Sequence, residues 1–526
     1  MTAFINREEV AALVHDGDIV GVGGFCGFGA PDTVLRQIGK SYEQTGSPRA
    51  LTIITPAAAG NGTDEPWGLG AIGADGLIDT ILTSVIMLPK NVLRAVNDNK
   101  IACYCPPLGY FGQMFRALAA GEPGVLTHVG LNTFCDPRVE GCKMNERARA
   151  GRDIVELMQV HGQDYLFWPV IPMNVCLLRG TYADEDGNVS CEHEALRTEV
   201  VEMANAVHNN GGTVIFQVKK IVRRGQLDPH KIVVHKTAVD YVVLSAPGEH
   251  LQGYAIPEYR PELSGEIKVA GRKVAPLRMG VRKLIARRAA SFIREGALVN
   301  LGLGISEGIA LVADEEGVID DFSVSIETGV LGGTTLTGPL VGAGINTETF
   351  YKMADTFDLY HGGGLDQCFL SAAEIDEQGN VNVSKFNGFI NGGGGFIDIT
   401  QNTREVYFSA VFTAGRPQIN IADGKVTITQ EGAALKFVKR VEQVSFSGPD
   451  ALAHGKQVTF ITERGVFELR QNGITLVEIA PGIDLERDIL AHMEFTPNIA
   501  DDLRLMDPRL FAEGRMGLTL QPKNER

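Results

Sequence analysis

Positive charge is scarce in this sequence. Lys and Arg total 48 against 64 Asp and Glu, a formal net charge of −16, and a surface of that sign repels a phosphate backbone. Nucleic acid is therefore not an expected partner. No run of apolar residues approaches the ~18–20 that span a bilayer, so no membrane partner is expected either. The opening Met1-Thr2-Ala3-Phe4-Ile5-Asn6-Arg7-Glu8-Glu9 lacks the basic stretch followed by an apolar core of a secretory leader, and a cytoplasmic location is the expectation. Eight cysteines (Cys26, Cys103, Cys105, Cys135, Cys142, Cys176, Cys191 and Cys368) form no C-x-x-C pair. That excludes a zinc ribbon or a thioredoxin-like site and reads as reduced, mostly buried thiols. Glycine, by contrast, is abundant: 62 of 526 residues, about 12% against an average usage of about 7%. Hydrophobic residues at 44% and charged residues at 21% are ordinary for a globular protein, and the length exceeds what one hydrophobic core organises.

The chain reads as a duplication. Asn6 and Glu9 have capping-box spacing, Val10, Leu13 and Val14 make an apolar stripe, and Gly17 stops it. A short buried strand, Asp18 to Phe25, then runs into a glycine turn, and Pro31 opens the next helix. The same order returns with the stripe Val281, Leu284, Ile285, Ala289, Phe292 and Ile293, the stop at Gly296, and the strand from Ala297 into Gly302-Leu303-Gly304. Both halves also carry the turn D-E-x-G-N-V, at Asp184 to Val189 and at Asp376 to Val381. The first copy spaces its stop and its turn much further apart, so it holds an insertion. The sequence predicts α/β architecture: two related open domains, mainly parallel sheets with helices on their faces. They span residues 1–246 and 280–526, joined by an exposed, Pro- and Gly-rich linker at 247–279. Strands are predicted at 322–326 and 406–411, with a hairpin turning at Asp423-Gly424.

The chemistry concentrates in three places. Phe322, Val324 and Ile326 alternate up to a strand end where Glu327 appears, followed by Gly329, Gly332 and Gly333. Open α/β sheets bind ligands at that carboxyl edge. Two glycine clusters, Gly21-Val22-Gly23-Gly24 and Gly392 to Gly395, offer backbone N–H groups of the kind an oxyanion or phosphate needs, or equally mark tight turns. Nucleotide motifs fail by counting: Cys26 and Glu307 stand where a dinucleotide fingerprint needs glycine, and Val34 where a P-loop does. His193 and His361 lack the spacing of a metal site, and no metal is expected.

These segments together resemble the family I coenzyme A transferases, of the fused-subunit, short-chain acyl type. The resemblance rests on G-V-G-G-F, S-I-E-T-G, Y-H-G-G-G-L-D, the G-N-V turn and G-G-G-G-F-I-D-I, in that setting over essentially the full length. It implies a ping-pong exchange between an acyl-CoA and a small carboxylic acid, with Glu327 as the nucleophile that becomes a glutamyl-CoA thioester and no other tightly bound cofactor. It implies oxyanion donors at Val22, Gly23 and Gly395, a hydrogen bond from Gln113 to the catalytic carboxylate, and a site between the two domains. Coenzyme A would run along Gly302, Leu303, Gly304, Ile305 and Ser306, with further contacts at Asn380, Gly394 and Gly415. A homo-oligomer, often a tetramer in this family, is also implied. A 3-oxoacid acceptor and an acyl-CoA hydrolase are the alternatives, the second disfavoured by glutamate rather than aspartate at 327.

Overall fold

The computed structural model describes residues 1–270 and 276–523. Its first half is a sheet of β1 (Ala3–Ile5), β2 (Ile19–Val22), β3 (Leu51–Ile54), β4 (Ile78–Leu82), β5 (Ala102–Tyr104), β6 (Val175–Asp184), β7 (Thr213–Val222) and β8 (Tyr241–Leu244), in the order β1-β8-β7-β6-β2-β3-β4-β5. Every one of these pairings is parallel. Such strands are buried on both faces and read as apolar runs rather than alternations. That is the pattern of Ile53, Ile54, Leu177, Leu178, Val214 and Ile215, all at most 1% exposed. Helices α1 (Asp32–Thr45), α2 (Leu108–Ala120) and α3 (Val200–Asn209) belong to this half.

The second half begins with α4 (Val281–Ala290), β9 (Leu298–Leu301), α5 (Glu307–Glu316), β10 (Ser323–Ser325), β11 (Val330–Leu331) and β12 (Thr349–Phe350). It continues through α6 (Met353–His361), β13 (Gln367–Ser371), α7 (Phe396–Asn402), β14 (Glu405–Ser409), β15 (Gln457–Ile461), β16 (Gly465–Arg470), β17 (Gly473–Ile479) and β18 (Asn498–Leu505). The sheet order is β12-β11-β10-β9-β13-β14-β15-β16-β17-β18. Its central run β10-β9-β13-β14-β15 is parallel, and the β10–β11, β11–β12, β15–β16 and β16–β17 pairs are antiparallel. The run has the same order and the same parallel sense as β3-β2-β6-β7-β8 of the first half, as the duplication read from the sequence requires.

The repeated turn has one geometry in both copies. Asp184 Oδ1 accepts from the N–H of Asp186 and of Asn188, and Asn188 Nδ2 donates to Asp184 Oδ2; Asp376, Gln378 and Asn380 repeat these bonds. The predicted hairpin forms as Gln418–Ala422 against Lys425–Gln430, with Asp423 and Gly424 both at positive φ as a two-residue hairpin turn requires. Two expectations change. The N-terminal helix is a 3₁₀ segment, Arg7–Leu13, although its capping box is present. The linker is not simply exposed: Ile256 and Leu263 are 2% and 0% exposed and join the apolar cluster holding Phe25, Phe28 and Ile326, because Tyr254 and Gly253 pair with Gly27 and Phe28. Residues 271–275 of that linker lie outside the described residues.

Candidate active site

Glu327 sits in a tight turn between β10 and β11. The N–H of Gly329 donates to the Ile326 carbonyl at 3.0 Å, and the N–H of Ile326 donates to the Val330 carbonyl at 2.9 Å. Gly329 has φ +99, and a Cβ there would run into the Tyr351 carbonyl oxygen, so only glycine closes this turn. The strand end beneath is locked by polar contacts: Asn300 Nδ2 on β9 donates to the Ser325 carbonyl at 3.1 Å, and Ser325 Oγ meets the Tyr360 hydroxyl at 2.6 Å. Glu327 keeps partial solvent access, yet the surrounding protein desolvates its carboxyl and raises its pKa. Its own backbone N–H and the Asn300 amide oppose that rise, and the negative charge of Asp398 adds to it.

The second glycine cluster meets this turn, and the first half reaches it just beyond its own cluster, at Cys26. Gly395 faces Glu327 directly: a Cβ on Gly395 would stand 3.4 Å from Glu327 Cγ. Its N–H has no hydrogen-bond partner among the described residues. The loop before it is stitched to the first half, since Gly394 N–H donates to the Ser84 carbonyl and Ile86 N–H to the Asn391 carbonyl. Gly394 therefore contributes open space rather than a free amide. From the first half, β2 ends at buried Val22. The Gly23 N–H is taken by the Leu177 carbonyl at 3.0 Å, which corrects its expected use as an oxyanion donor: the parallel ladder runs one residue further than the strand pattern suggests.

Beyond Gly23 the chain makes a two-residue turn, Phe25 and Phe28 exchanging both backbone hydrogen bonds around Cys26 and Gly27. Cys26, at φ +49, comes within electrostatic reach of Glu327. Burial and that charge push its thiol up to about 12, so it is a neutral group beside the carboxylate. Nothing in the sequence distinguished this cysteine from the other seven.

Gln113 reaches the domain junction but bonds elsewhere than expected. Its Nε2 lies 3.1 Å from His361 Nδ1, at the end of α6, and not on Glu327. His361 Nε2 in turn lies 2.8 Å from Asp398 Oδ1. His361 and Asp398, unremarkable as motif flanks in the sequence, are thus part of the junction. The expected coenzyme A segment lies at the carboxyl end of β9. Gly302 N–H continues the ladder to the Phe369 carbonyl, and a side chain there would strike Leu370. Leu303 is 49% exposed, Gly304 has φ +85, Ile305 is partly buried, and the fully buried Ser306 hydroxyl lacks a partner among the described residues. Gly415 is exposed at φ +86. Asn380 serves the repeated turn: its Nδ2 donates to Asp376 and its Oδ1 accepts from the Gly448 N–H.

Residues 5–245 match the family model described as Coenzyme A transferase. The acetate CoA-transferase YdiF of Escherichia coli O157:H7 is 41% identical over 502 residues, 95% of this chain and 93% of that protein. The caffeate CoA-transferase of Acetobacterium woodii is 39% identical over 523 residues, 98% of this chain and 99% of that one. A crystal structure of YdiF as a thioester complex with CoA superimposes with a TM-score of 0.93 at 38% identity, covering 99% of this chain and 98% of that one. With full-length identity of this order on a duplicated α/β frame whose halves meet at Glu327, the chain belongs to the coenzyme A transferases, in the form that carries both halves of the fold on one polypeptide.

Proposed function

We propose that the protein exchanges coenzyme A between short-chain acyl-CoA donors and small carboxylic acids, with Glu327 as the covalent carrier. The observation that carries this reading is the approach of Gly395, with its free N–H, to the side chain of Glu327. Covalent catalysis by a carboxylate needs an oxyanion donor beside the reacting carbon, and the unpartnered Gly395 amide is the candidate for it. The Glu327 carboxylate attacks the thioester carbonyl, the C–S bond breaks, and an acyl-glutamyl anhydride and CoA thiolate result. The thiolate then attacks the glutamyl carbonyl, the anhydride C–O bond breaks, and the donor acid leaves as its carboxylate. An acceptor carboxylate reverses both steps, so the thioester energy is conserved without ATP.

Desolvation suits the first attack, because a carboxylate whose proton affinity is raised is the stronger nucleophile. The turn at Gly302–Ser306, open beside half-exposed Leu303, supports coenzyme A lying along the carboxyl end of β9, with Gly415 on its course. The strands each sheet uses, none beyond Leu244 in the first and none before Leu298 in the second among the described residues, support domain limits of 1–246 and 280–526. The relatives act, by name, on acetate and on caffeate, and the glycine-rich surroundings of Glu327 favour the smaller acid here. The test is mass spectrometry after incubation with acetyl-CoA and no acceptor. A CoA adduct on the Glu327 peptide, absent in Glu327→Ala, supports the reading. Acetyl-CoA consumed without an adduct indicates hydrolysis and refutes it.

A further inference from the structure

Gln113, His361 and Asp398 reach one point from three elements, α2 of the first half and α6 and α7 of the second. Asp398 is fully buried and accepts from His361 Nε2 at 2.8 Å. A carboxylate only accepts, so Nε2 carries the hydrogen, and in the tautomer this selects Nδ1 is an acceptor. Gln113 must then turn its Nε2 toward His361, at 3.1 Å. One Nε2 hydrogen is spent on the ring. The second hydrogen and Oε1 remain, and Oε1 is buried with no partner among the described residues. The pair thus dictates which way an otherwise reversible amide faces.

The same pair fixes α7. Asp398 lies on its first turn, three residues after Gly395, and at its far end Asn402 Nδ2 donates to the His361 carbonyl at 2.6 Å. His361 therefore grips both ends of the helix that sets Gly395 against Glu327. Glycine at 109 makes the room: a Cβ there would stand 2.6 Å from Asp398 Oδ1 and 2.8 Å from His361 Cε1.

We propose that His361, oriented by Asp398, is a positioning residue for the transfer reaction: it fixes the Gln113 amide at the domain junction and, through α7, the Gly395 N–H beside Glu327, and accelerates acyl transfer without contributing to coenzyme A binding. This rests on the reading of Glu327 as nucleophile. The experiment compares His361→Gln, Asp398→Asn, Gln113→Ala and the double variant Gln113→Ala/Asp398→Asn in the full-length enzyme. It measures kcat and KM for acetyl-CoA with propionate as acceptor, together with the rate at which the CoA adduct appears on Glu327.

Asp398→Asn offers its amide N–H to Nε2, moves the ring hydrogen to Nδ1 and forces Gln113 to flip. Each single variant is expected to lower kcat and adduct formation about 10- to 100-fold with KM for acetyl-CoA within about twofold. Asp398→Asn is expected to cost less in the Gln113→Ala background than in wild type, the part that is left being the share carried through α7. Wild-type kcat in His361→Gln and Asp398→Asn overturns the proposal. So does a loss carried by KM, or one undiminished in the Gln113→Ala background, since either makes the pair a structural clasp only. If Asp398→Asn does not fold, His361→Gln takes its place in the same cycle. If the wild-type enzyme itself forms no adduct with acetyl-, propionyl- or butyryl-CoA, the nucleophile reading fails and the proposal falls with it, a result distinct from adduct loss in the variants alone.

Discussion

Gly109→Ala sets two effects of opposite sign against each other. Position 109 is the second residue of α2, in ordinary helical conformation, so alanine gains up to about 1 kcal/mol in helix propensity. The added methyl, however, would lie 2.6 Å from Asp398 Oδ1 and 2.8 Å from His361 Cε1. An ordinary carbon contact there is about 3.4 Å or more, so the pair must retreat by roughly 0.6–0.8 Å. That stretches the 2.8 Å His361–Asp398 bond beyond useful hydrogen-bonding range. A bond to a charged group contributes about 1.5–3 kcal/mol, which exceeds the propensity gain. The variant should lose about 0.5–2 kcal/mol of stability, a Tm lower by up to a few degrees for a domain of this size. If the positioning is felt in the transition state, kcat falls about 10- to 100-fold. Calorimetry and steady-state transfer from acetyl-CoA to propionate read the two effects. A raised Tm with kcat within twofold of wild type would refute the reasoning, since propensity alone would then have decided the outcome.

The remaining predictions concern titration and the turn. Because burial raises the Glu327 carboxyl and the ionised form attacks, kcat/KM should fall with decreasing pH through a limb above the ordinary carboxylate range of about 4.3–4.5; a pH–rate profile with its limb at or below that range counts against it. A raised folded-state pKa also means that ionisation destabilises the fold, so Glu327→Gln should unfold at higher denaturant than wild type at neutral pH and match it near pH 4. Glu199 is buried beside Glu202, with its pKa pushed to about 8. The stability it contributes by holding a proton is lost as pH rises from about 4.5 to 8, so the advantage of Glu199→Gln in urea unfolding should grow by about 3 kcal/mol between pH 5.5 and 8. Gly329→Ala places a side chain at φ +99 against the Tyr351 carbonyl and should cost at least about 3 kcal/mol, with loss of the adduct on Glu327.

Much of the frame was legible because duplication writes the same short signals twice. The capping box at Asn6, the stops at Gly17 and Gly296, and the paired D-E-x-G-N-V turns depend on residues a few positions apart, and their hydrogen bonds are equally local. The place of Glu327 was legible for the same reason: a carboxylate at a strand end followed by glycines is a local pattern, and the structure sets it in the turn between β10 and β11. Asn380 shows the limit, since the turn that made it visible also consumes its amide. The linker shows another: its composition reads as exposed, while Leu263 is buried because the first-half loop at Gly27 and Phe28 needs a cover.

By itself the sequence determined the class of fold, the two-fold repetition and the acidic net charge, all set by spacing, turn chemistry and charge count. Only the tertiary structure decided which amides are free, since whether Gly23 or Gly395 still offers its N–H depends on how far a ladder runs and on what a distant strand presents. It alone joined Gln113 to His361 and Asp398, residues separated by 248 and 37 positions respectively along these two links. Hydrogen-bond partners across a domain junction are chosen by packing geometry, and no local pattern in the chain encodes them.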